Sequence, residues 1–155
     1  MTIRQAETAD DIEILRGLFL EYEAWLGLSL CFQGFEDELT TLPGKYAPPE
    51  GRLYLASVGE EAAGCIALRS LGGGICEMKR LYLRENARGH GLGRRLVEKV
   101  IADAREIGYR KMRLDTYPPK MGKAVSLYEA HGFRPIDAYY ANPHGDTLFM
   151  ELDLI

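Results

Sequence analysis

The run Arg88-Gly89-His90-Gly91-Leu92-Gly93 has the residue types and spacing to hold an anion through its backbone. Glycines leave the main chain uncovered, so successive N–H groups can turn toward one ligand. A helix beginning at that point adds its unpaired N–H groups and the positive end of its dipole. A diphosphate is the natural occupant. Two nucleotide-binding patterns fail against the sequence. No stretch places Gly, four residues, Gly, Lys and then Ser or Thr, as a Walker A loop requires. A dinucleotide fingerprint, G-x-G-x-x-G, fails as well: from Gly89 the third glycine falls on Arg94, and from Gly91 it falls on Leu96. Asp115 lies about 20 residues downstream, where a ribose-binding acid is sought, but only one strand–helix–strand unit surrounds the loop.

The pattern that matches is R-x-x-G-x-G, in Arg88, Gly91 and Gly93. A strand-like stretch, Glu77-Met78-Lys79-Arg80-Leu81-Tyr82-Leu83, precedes it, and Leu127-Tyr128-Glu129-Ala130-His131-Gly132-Phe133 follows. In these two motifs and their order the chain resembles the GNAT superfamily of acyl-CoA N-acyltransferases, whose pyrophosphate loop and L-Y-x-x-x-G-F signature they match. The resemblance implies acetyl-CoA as co-substrate and transfer of its acetyl group to a primary amine of a small acceptor by direct attack. It places the pantetheine along the main chain of Leu81, Tyr82 and Leu83. It places the pyrophosphate on the backbone of Arg88, Gly89, His90, Gly91, Leu92, Gly93 and Arg94.

The same resemblance assigns two side chains. Tyr128 matches the tyrosine that protonates the leaving thiolate, a role suited to a phenol with an ordinary pKa of ~10. Glu77 stands where many relatives carry the carboxylate that deprotonates the acceptor, directly or through water. Strand alternation puts Glu77 on one face with Lys79 and Leu81, and a cross-strand pair with Arg69 is an equal explanation of it. Asp115 is the second candidate for the base. Relatives often carry Asn seven residues before the tyrosine; here that residue is Met121, which has no amide to offer the cofactor.

These residues need elements to position them. A strand at 3–6 leads to a helix opened by Thr8 with Asp11 as its capping-box partner, apolar at Ile12, Leu15, Leu18, Phe19, Tyr22 and Leu26 and stopped by Gly27. A short helix over 35–42 ends at Pro43-Gly44. Strands at 52–58, 63–71 and 75–83 are separated by glycine turns short enough for antiparallel hairpins. The helix after the glycine loop closes at Gly108. The strand at 110–116 returns through that helix and is therefore parallel to the third. A helix over 121–130 and strands at 133–136 and 146–154 complete the order β-α-α-β-β-β-α-β-α-β-β. The expected class is a single α/β (α+β) domain over residues 1–155, a mixed, mostly antiparallel sheet flanked by helices, as in the GNAT fold.

Composition narrows the partners. The chain has 155 residues, 46% hydrophobic and 27% charged, with a net charge of −4. That balance argues against nucleic acid as a partner, since phosphates require a basic face. It leaves room for a local anion site, because Arg84, Arg88, Arg94 and Arg95 gather around the glycine loop. No apolar run approaches the ~20 residues of a membrane span, and the N-terminus lacks a signal-peptide core. The expectation is a cytoplasmic protein with no membrane partner. Cys31, Cys65 and Cys76 read as small hydrophobes in a reducing compartment, and His90, His131 and His144 lack metal-ligand spacing, so no metal is expected. The acceptor walls fall on residues 25–51, with Phe32, Phe35 and Tyr46, and on residues 139–144 with Tyr139 and Tyr140. A small amine, an amino acid, an aminoglycoside-like compound, a protein lysine and a protein N-terminus all remain open as acceptors. A non-catalytic CoA-binding sensor is the alternative from another class. A homodimer through an exposed C-terminal strand edge is a further expectation.

Overall fold

The computed structural model describes the backbone of all 155 residues and every side chain except that of Phe32. The element order is that expected: β1 (Thr2–Gln5), α1 (Ala9–Leu26), α2 (Phe35–Thr41), β2 (Arg52–Val58), β3 (Glu61–Gly72), β4 (Ile75–Leu83), α3 (Leu92–Ile107), β5 (Lys111–Thr116), α4 (Pro118–Ala130), β6 (Arg134–Ile136) and β7 (Leu148–Asp153). The strands form one sheet in the order β1-β2-β3-β4-β5-β7-β6. Every pairing is antiparallel except β4 with β5.

Local chemistry accounts for the boundaries. Thr8 accepts from the Asp11 N–H while the Asp11 carboxylate accepts from the Thr8 N–H, so two orphan donors at the start of α1 are paired reciprocally. Arg4 then grips both oxygens of Asp11 at 2.6 and 2.8 Å, fastening β1 to the helix it precedes. Pro118 and Pro119 end the reach of β5 and also open α4, three residues earlier than the expected start. Their missing N–H groups are among those a first helical turn leaves unpaired anyway.

Each face of the sheet carries its own core. One cluster joins Ile66, Leu68, Cys76 and Met78 to Leu92, Leu96, Val97 and Val100 of α3. The other joins Leu53, Leu55, Cys65 and Ala67 to Leu15, Leu18 and Phe19 of α1. The helix α4 bridges the two, with Tyr128 in the first cluster and Met121 in the second.

Two expectations are corrected. Simple alternation fails in β4, where Cys65 opposes Tyr82 but Ala67 opposes Lys79, so the β4 side carries one extra residue. Arg80 takes up that bulge at φ 60°, in the left-handed region. As a result Leu81 leaves the face of Glu77 and Lys79 and packs with Leu83 on the α3 side, while Arg80 and Tyr82 turn to the α1 and α2 side. Gly64 makes the close backbone approach possible, since a Cβ there would sit 2.4 Å from the Tyr82 carbonyl oxygen. The second correction concerns the C-terminal strand. β7 lies between β5 and β6, so the sheet edge is the three-residue β6, which carries Pro135. A short edge strand containing proline is poorly suited to add another chain.

Candidate active site

The parallel pairing of β4 and β5 covers only Ile75–Lys111, Cys76–Met112 and Glu77–Arg113. Beyond Glu77 the two strands part, and the β5-facing edge of Met78 to Leu83 is left without a strand partner. A groove of about 670 Å³ opens there, between Leu81, Tyr82 and Leu83 on one side and the first turns of α4 on the other, with Gly89 and Gly93 at its end.

The glycine loop supplies the donors at that end. Gly89 and Gly91 have φ of 81° and 75°, and Gly91 is the N-cap of α3 with no side chain capping the helix. The first hydrogen bond onto the helix runs from the Arg95 N–H to the Gly91 carbonyl. Among the described residues, none of the N–H groups from Gly89 to Arg94 meets an acceptor in the chain. The donor set expected to begin at Arg88 begins one residue later, because the Arg88 N–H is spent on the Glu85 carbonyl at 3.2 Å. Leu92 contributes only its backbone, its side chain being wholly buried in the core.

The four arginines divide. Arg88 alone lines the groove: its guanidinium lies 5.0 Å over the Trp25 ring and donates to the Leu83 carbonyl at 3.0 Å. Trp25, expected at the start of the acceptor wall, therefore lines this groove with Arg88. Arg84 pairs with Glu21, Arg94 with Glu98, and Arg95 reaches the Met1 carbonyl.

At the inner end of the groove, Leu81 and Met121 also line a small buried cavity with Tyr22, Arg80, Asp115 and Tyr128. Tyr128 is buried with its ring tilted at 59° against Phe133, and its hydroxyl makes no hydrogen bond among the described residues. Burial pushes its pKa up, with the charges of Tyr22 and Asp115 acting in the same direction. Met121 occupies the kink of α4, at φ −119° and ψ 32°. Its sulfur receives the hydroxyls of Tyr22 at 3.9 Å and Thr116 at 3.6 Å, so a thioether fills the junction between groove and cavity.

The two candidate carboxylates have different surroundings. Glu77 is buried and fully engaged: Oε1 accepts from Arg69 Nε at 2.8 Å with Lys79 Nζ at 3.6 Å, and Oε2 accepts from the Tyr139 hydroxyl at 2.6 Å. Burial raises its pKa, yet Lys79, Tyr139 and Arg69 together outweigh that and hold the carboxyl below its ordinary value. Asp115 accepts from the Tyr140 hydroxyl at 2.6 Å and forms no ion pair among the described residues. It lines the cavity with Tyr128 and a second one bounded by Leu26, Leu28, Leu30, Gln33 and Asn142. Sequence reasoning missed Tyr22, Gln33 and the role of Tyr140, because contacts over such separations leave no local pattern. Of the expected acceptor-wall aromatics, Phe35 and Tyr46 are buried in the α1-side core, and the side chain of Phe32 lies outside the described residues.

An open strand edge, six unpaired N–H groups at a helix start and a groove joining them form a site for a ligand with amides along its length and a diphosphate at one end. The profile of the acetyltransferase (GNAT) family matches residues 18–133. The chain belongs to the GNAT family. An N-acetyltransferase of Schizosaccharomyces pombe, described as uncharacterized, is 37% identical over 99% of this chain and 95% of its own. The structure of a putative acyl-CoA N-acyltransferase from Klebsiella pneumoniae superposes with a TM-score of 0.77 at 26% identity, covering 99% and 97% of the two chains. A GNAT acetyltransferase from Elizabethkingia anophelis with acetyl-CoA bound gives a TM-score of 0.56 at 25% identity over 67% and 76%. This GNAT protein is thus an acetyl-CoA-dependent N-acetyltransferase with the mixed, mostly antiparallel sheet of its family. No helix among the described residues is long and apolar enough to cross a membrane, and no group of three or more His, Cys, Asp or Glu there is arranged to hold a metal ion.

Proposed function

We propose that this acetyltransferase, acting as one domain over residues 1–155, moves the acetyl group of acetyl-CoA to the primary amine of a small molecule. The observation that carries this reading is Asp115, a carboxylate that forms no ion pair among the described residues and lines one cavity with Tyr128 and Leu81. An ammonium ion is the natural complement of such a group. The cavity Asp115 shares with Leu26, Leu28 and Leu30 is only about 30 Å³, the scale of a few waters, which favours a small acceptor over a protein chain.

The groove between β4 and α4 takes the pantetheine, and the N–H groups from Gly89 to Arg94 take the diphosphate. Asp115 accepts a proton from the acceptor ammonium, which has no lone pair for attack at its ordinary pKa of ~10. The amine then forms the C–N bond at the thioester carbon. The Leu81 N–H stabilises the carbonyl oxygen as charge builds on it, a contribution of ~2.7–4 kcal/mol for such a donor. As the C–S bond breaks, Tyr128 gives its proton to the departing sulfur and regains one as the new amide nitrogen loses its second proton, and the proton on Asp115 leaves to solvent. Glu77, saturated by Arg69, Lys79 and Tyr139, holds the C-terminal loop against the sheet instead of moving the proton.

The test is thiol release from acetyl-CoA across a panel of small amines, amino acids and lysine peptides, with wild type and Asp115→Asn side by side. Accelerated release with a small amine that Asp115→Asn abolishes supports the reading. Release with lysine peptides alone, or none despite calorimetric CoA binding, refutes it.

A further inference from the structure

The Tyr140 hydroxyl has three hydrogen-bond partners among the described residues, and their chemistry leaves its proton one direction. Asp115 Oδ2 lies at 2.6 Å, Asn142 Nδ2 at 2.9 Å and Gln33 Nε2 at 3.2 Å. A phenol carries one proton and accepts up to two hydrogen bonds, while an amide nitrogen only donates. Both amides therefore point an N–H at the oxygen, and the phenol proton goes to the carboxylate.

Each amide is fixed from its other end. Asn142 Oδ1 accepts from the His144 N–H at 2.8 Å. Gln33 closes the 3₁₀ turn Cys31–Gln33, and its Oε1 accepts from Lys79 Nζ at 3.1 Å and Arg80 Nη1 at 2.9 Å. Ammonium and guanidinium groups have no acceptor atoms, so a reversed Gln33 amide would set donor against donor. The cations are themselves anchored. Glu38 grips buried Arg80 through both oxygens, each at 2.8 Å, and Glu77 lies 3.6 Å from Lys79. The Tyr140 ring is held edge-on against Tyr139 and Phe149, at centroid distances of 5.5 and 5.1 Å.

A one-way chain of hydrogen bonds thus runs from Lys79 and Arg80 through Gln33 and Tyr140 to Asp115. It spans 107 positions between Gln33 and Tyr140 alone. Its effect falls on the two carboxylate oxygens. The hydrogen bond received at Oδ2 stabilises charge there and makes that oxygen the weaker proton acceptor. Oδ1 accepts no hydrogen bond among the described residues.

We propose that Gln33 is a positioning residue for acetyl transfer: it sets the direction of the Tyr140 proton, which reserves Asp115 Oδ2 and leaves Oδ1 to take a proton from the acceptor ammonium. Oδ1 then releases that proton to solvent before the next turnover. The inference rests on the acetyl-transfer reading, which makes Asp115 the base.

The experiment follows thiol release from acetyl-CoA with the amine that wild type acetylates fastest among ethylamine, ethanolamine, 1,4-diaminobutane and glycinamide. The variants are Gln33→Glu, Tyr140→Phe, Asp115→Asn, and each of the first two combined with the third. Gln33→Glu keeps the shape of the side chain and gives Lys79 and Arg80 a carboxylate, so the melting temperature should not fall. It has no N–H for Tyr140, however, and it competes for the phenol proton. Its kcat should drop about 10- to 100-fold, the scale of a misplaced catalytic group, with the acetyl-CoA Kd unchanged. Tyr140→Phe should lose a similar factor. On top of Asp115→Asn, neither substitution should lower kcat further, because the three groups act as one unit. Wild-type kcat in Gln33→Glu, a loss of kcat matched by a loss of melting temperature, or a further loss on top of Asp115→Asn overturns the proposal and leaves Asp115 as the base. Full kcat in Asp115→Asn, or no amine acetylated by wild type, removes the base reading and the proposal with it.

Discussion

Tyr140 donates a 2.6 Å hydrogen bond to Asp115 Oδ2, and among the described residues no Lys, Arg or His closes an ion pair on that carboxylate. Asp11, Glu38, Glu77, Asp103 and Glu151, all buried, each pair with an arginine or lysine. A neutral phenol orients Asp115 without closing on it as an ion pair, and Lys79, which lines the same cavity, feels its charge while bonded to Gln33 and Glu77.

Asp115→Asn should therefore lower kcat/KM for the amine by ~10²–10⁴-fold, the usual range for losing a general base. The acetyl-CoA Kd should hold. In wild type, activity should fall on the acid side as the base takes up a proton, and the variant should lack that acidic limb. Glu77→Gln should keep most of the turnover but melt earlier, because it strips Arg69 and Lys79 of their shared carboxylate. Steady-state pH profiles of both variants decide the assignment; a lost acidic limb in Glu77→Gln alone would move the base to Glu77.

Tyr128→Phe should reduce kcat by ~100-fold with little change in acetyl-CoA affinity. Burial raises the Tyr128 pKa, so the phenol keeps its proton throughout the neutral range and any basic limb of the pH profile should belong to another group. Single-turnover acetyl transfer, with calorimetry for the Kd, separates the two quantities. Unchanged turnover would remove Tyr128 from the chemistry.

Gly89→Ala tests the anion loop. No atom stands within 4 Å of the added Cβ, but the position is at φ 81°, where an L-residue is strained by ~1–2 kcal/mol. The unliganded loop is free to relax, while a diphosphate needs the N–H groups turned as they stand. The acetyl-CoA Kd should rise ~5–30-fold, with the melting temperature of the unliganded protein nearly unchanged.

Glu38→Gln should destabilise the fold by ~3–5 kcal/mol, because Arg80 is left charged and buried without its partner. Burial raises the Glu38 pKa, but Arg80 outweighs it and the net shift is downward. The pair thus stabilises the protein fully above the unfolded glutamate value of ~4.3, and that part is lost as pH falls toward the folded value. Urea unfolding at neutral pH and near pH 4 should show a larger loss in wild type than in the variant, which keeps only the acid losses of the other paired carboxylates.

Much of the framework was legible because it depends on neighbours in the chain. The capping box of Thr8 and Asp11, the αL stops at Gly27 and Gly108, and the hairpins around Gly59 and Gly72-Gly73-Gly74 each need only a few adjacent residues. The parallel return of β5 follows from the crossover through α3. The face of Leu81 was not legible, because alternation carries no mark of a bulge. That bulge depends on Gly64 of the neighbouring strand giving room to Tyr82, and on Glu38, 42 positions away, receiving the Arg80 side chain turned toward α2.

The sequence by itself determined the element order, the anion-binding loop and the family to which Arg88-x-x-Gly91-x-Gly93 and Leu127-Tyr128 belong. Periodicity, caps and glycine positions act over one or two turns of chain, and they are written in consecutive residues. Only the tertiary structure decided which carboxylate is spent and which is free. Glu77 and Asp115 look alike in sequence, and each accepts from a tyrosine of the C-terminal loop. What separates them is that Arg69 and Lys79 close ion pairs on Glu77, while no ion pair is closed on Asp115 among the described residues. The charge left on a buried group is the sum over every neighbour that the fold brings within a few ångströms, and residues distant along the chain supply that sum.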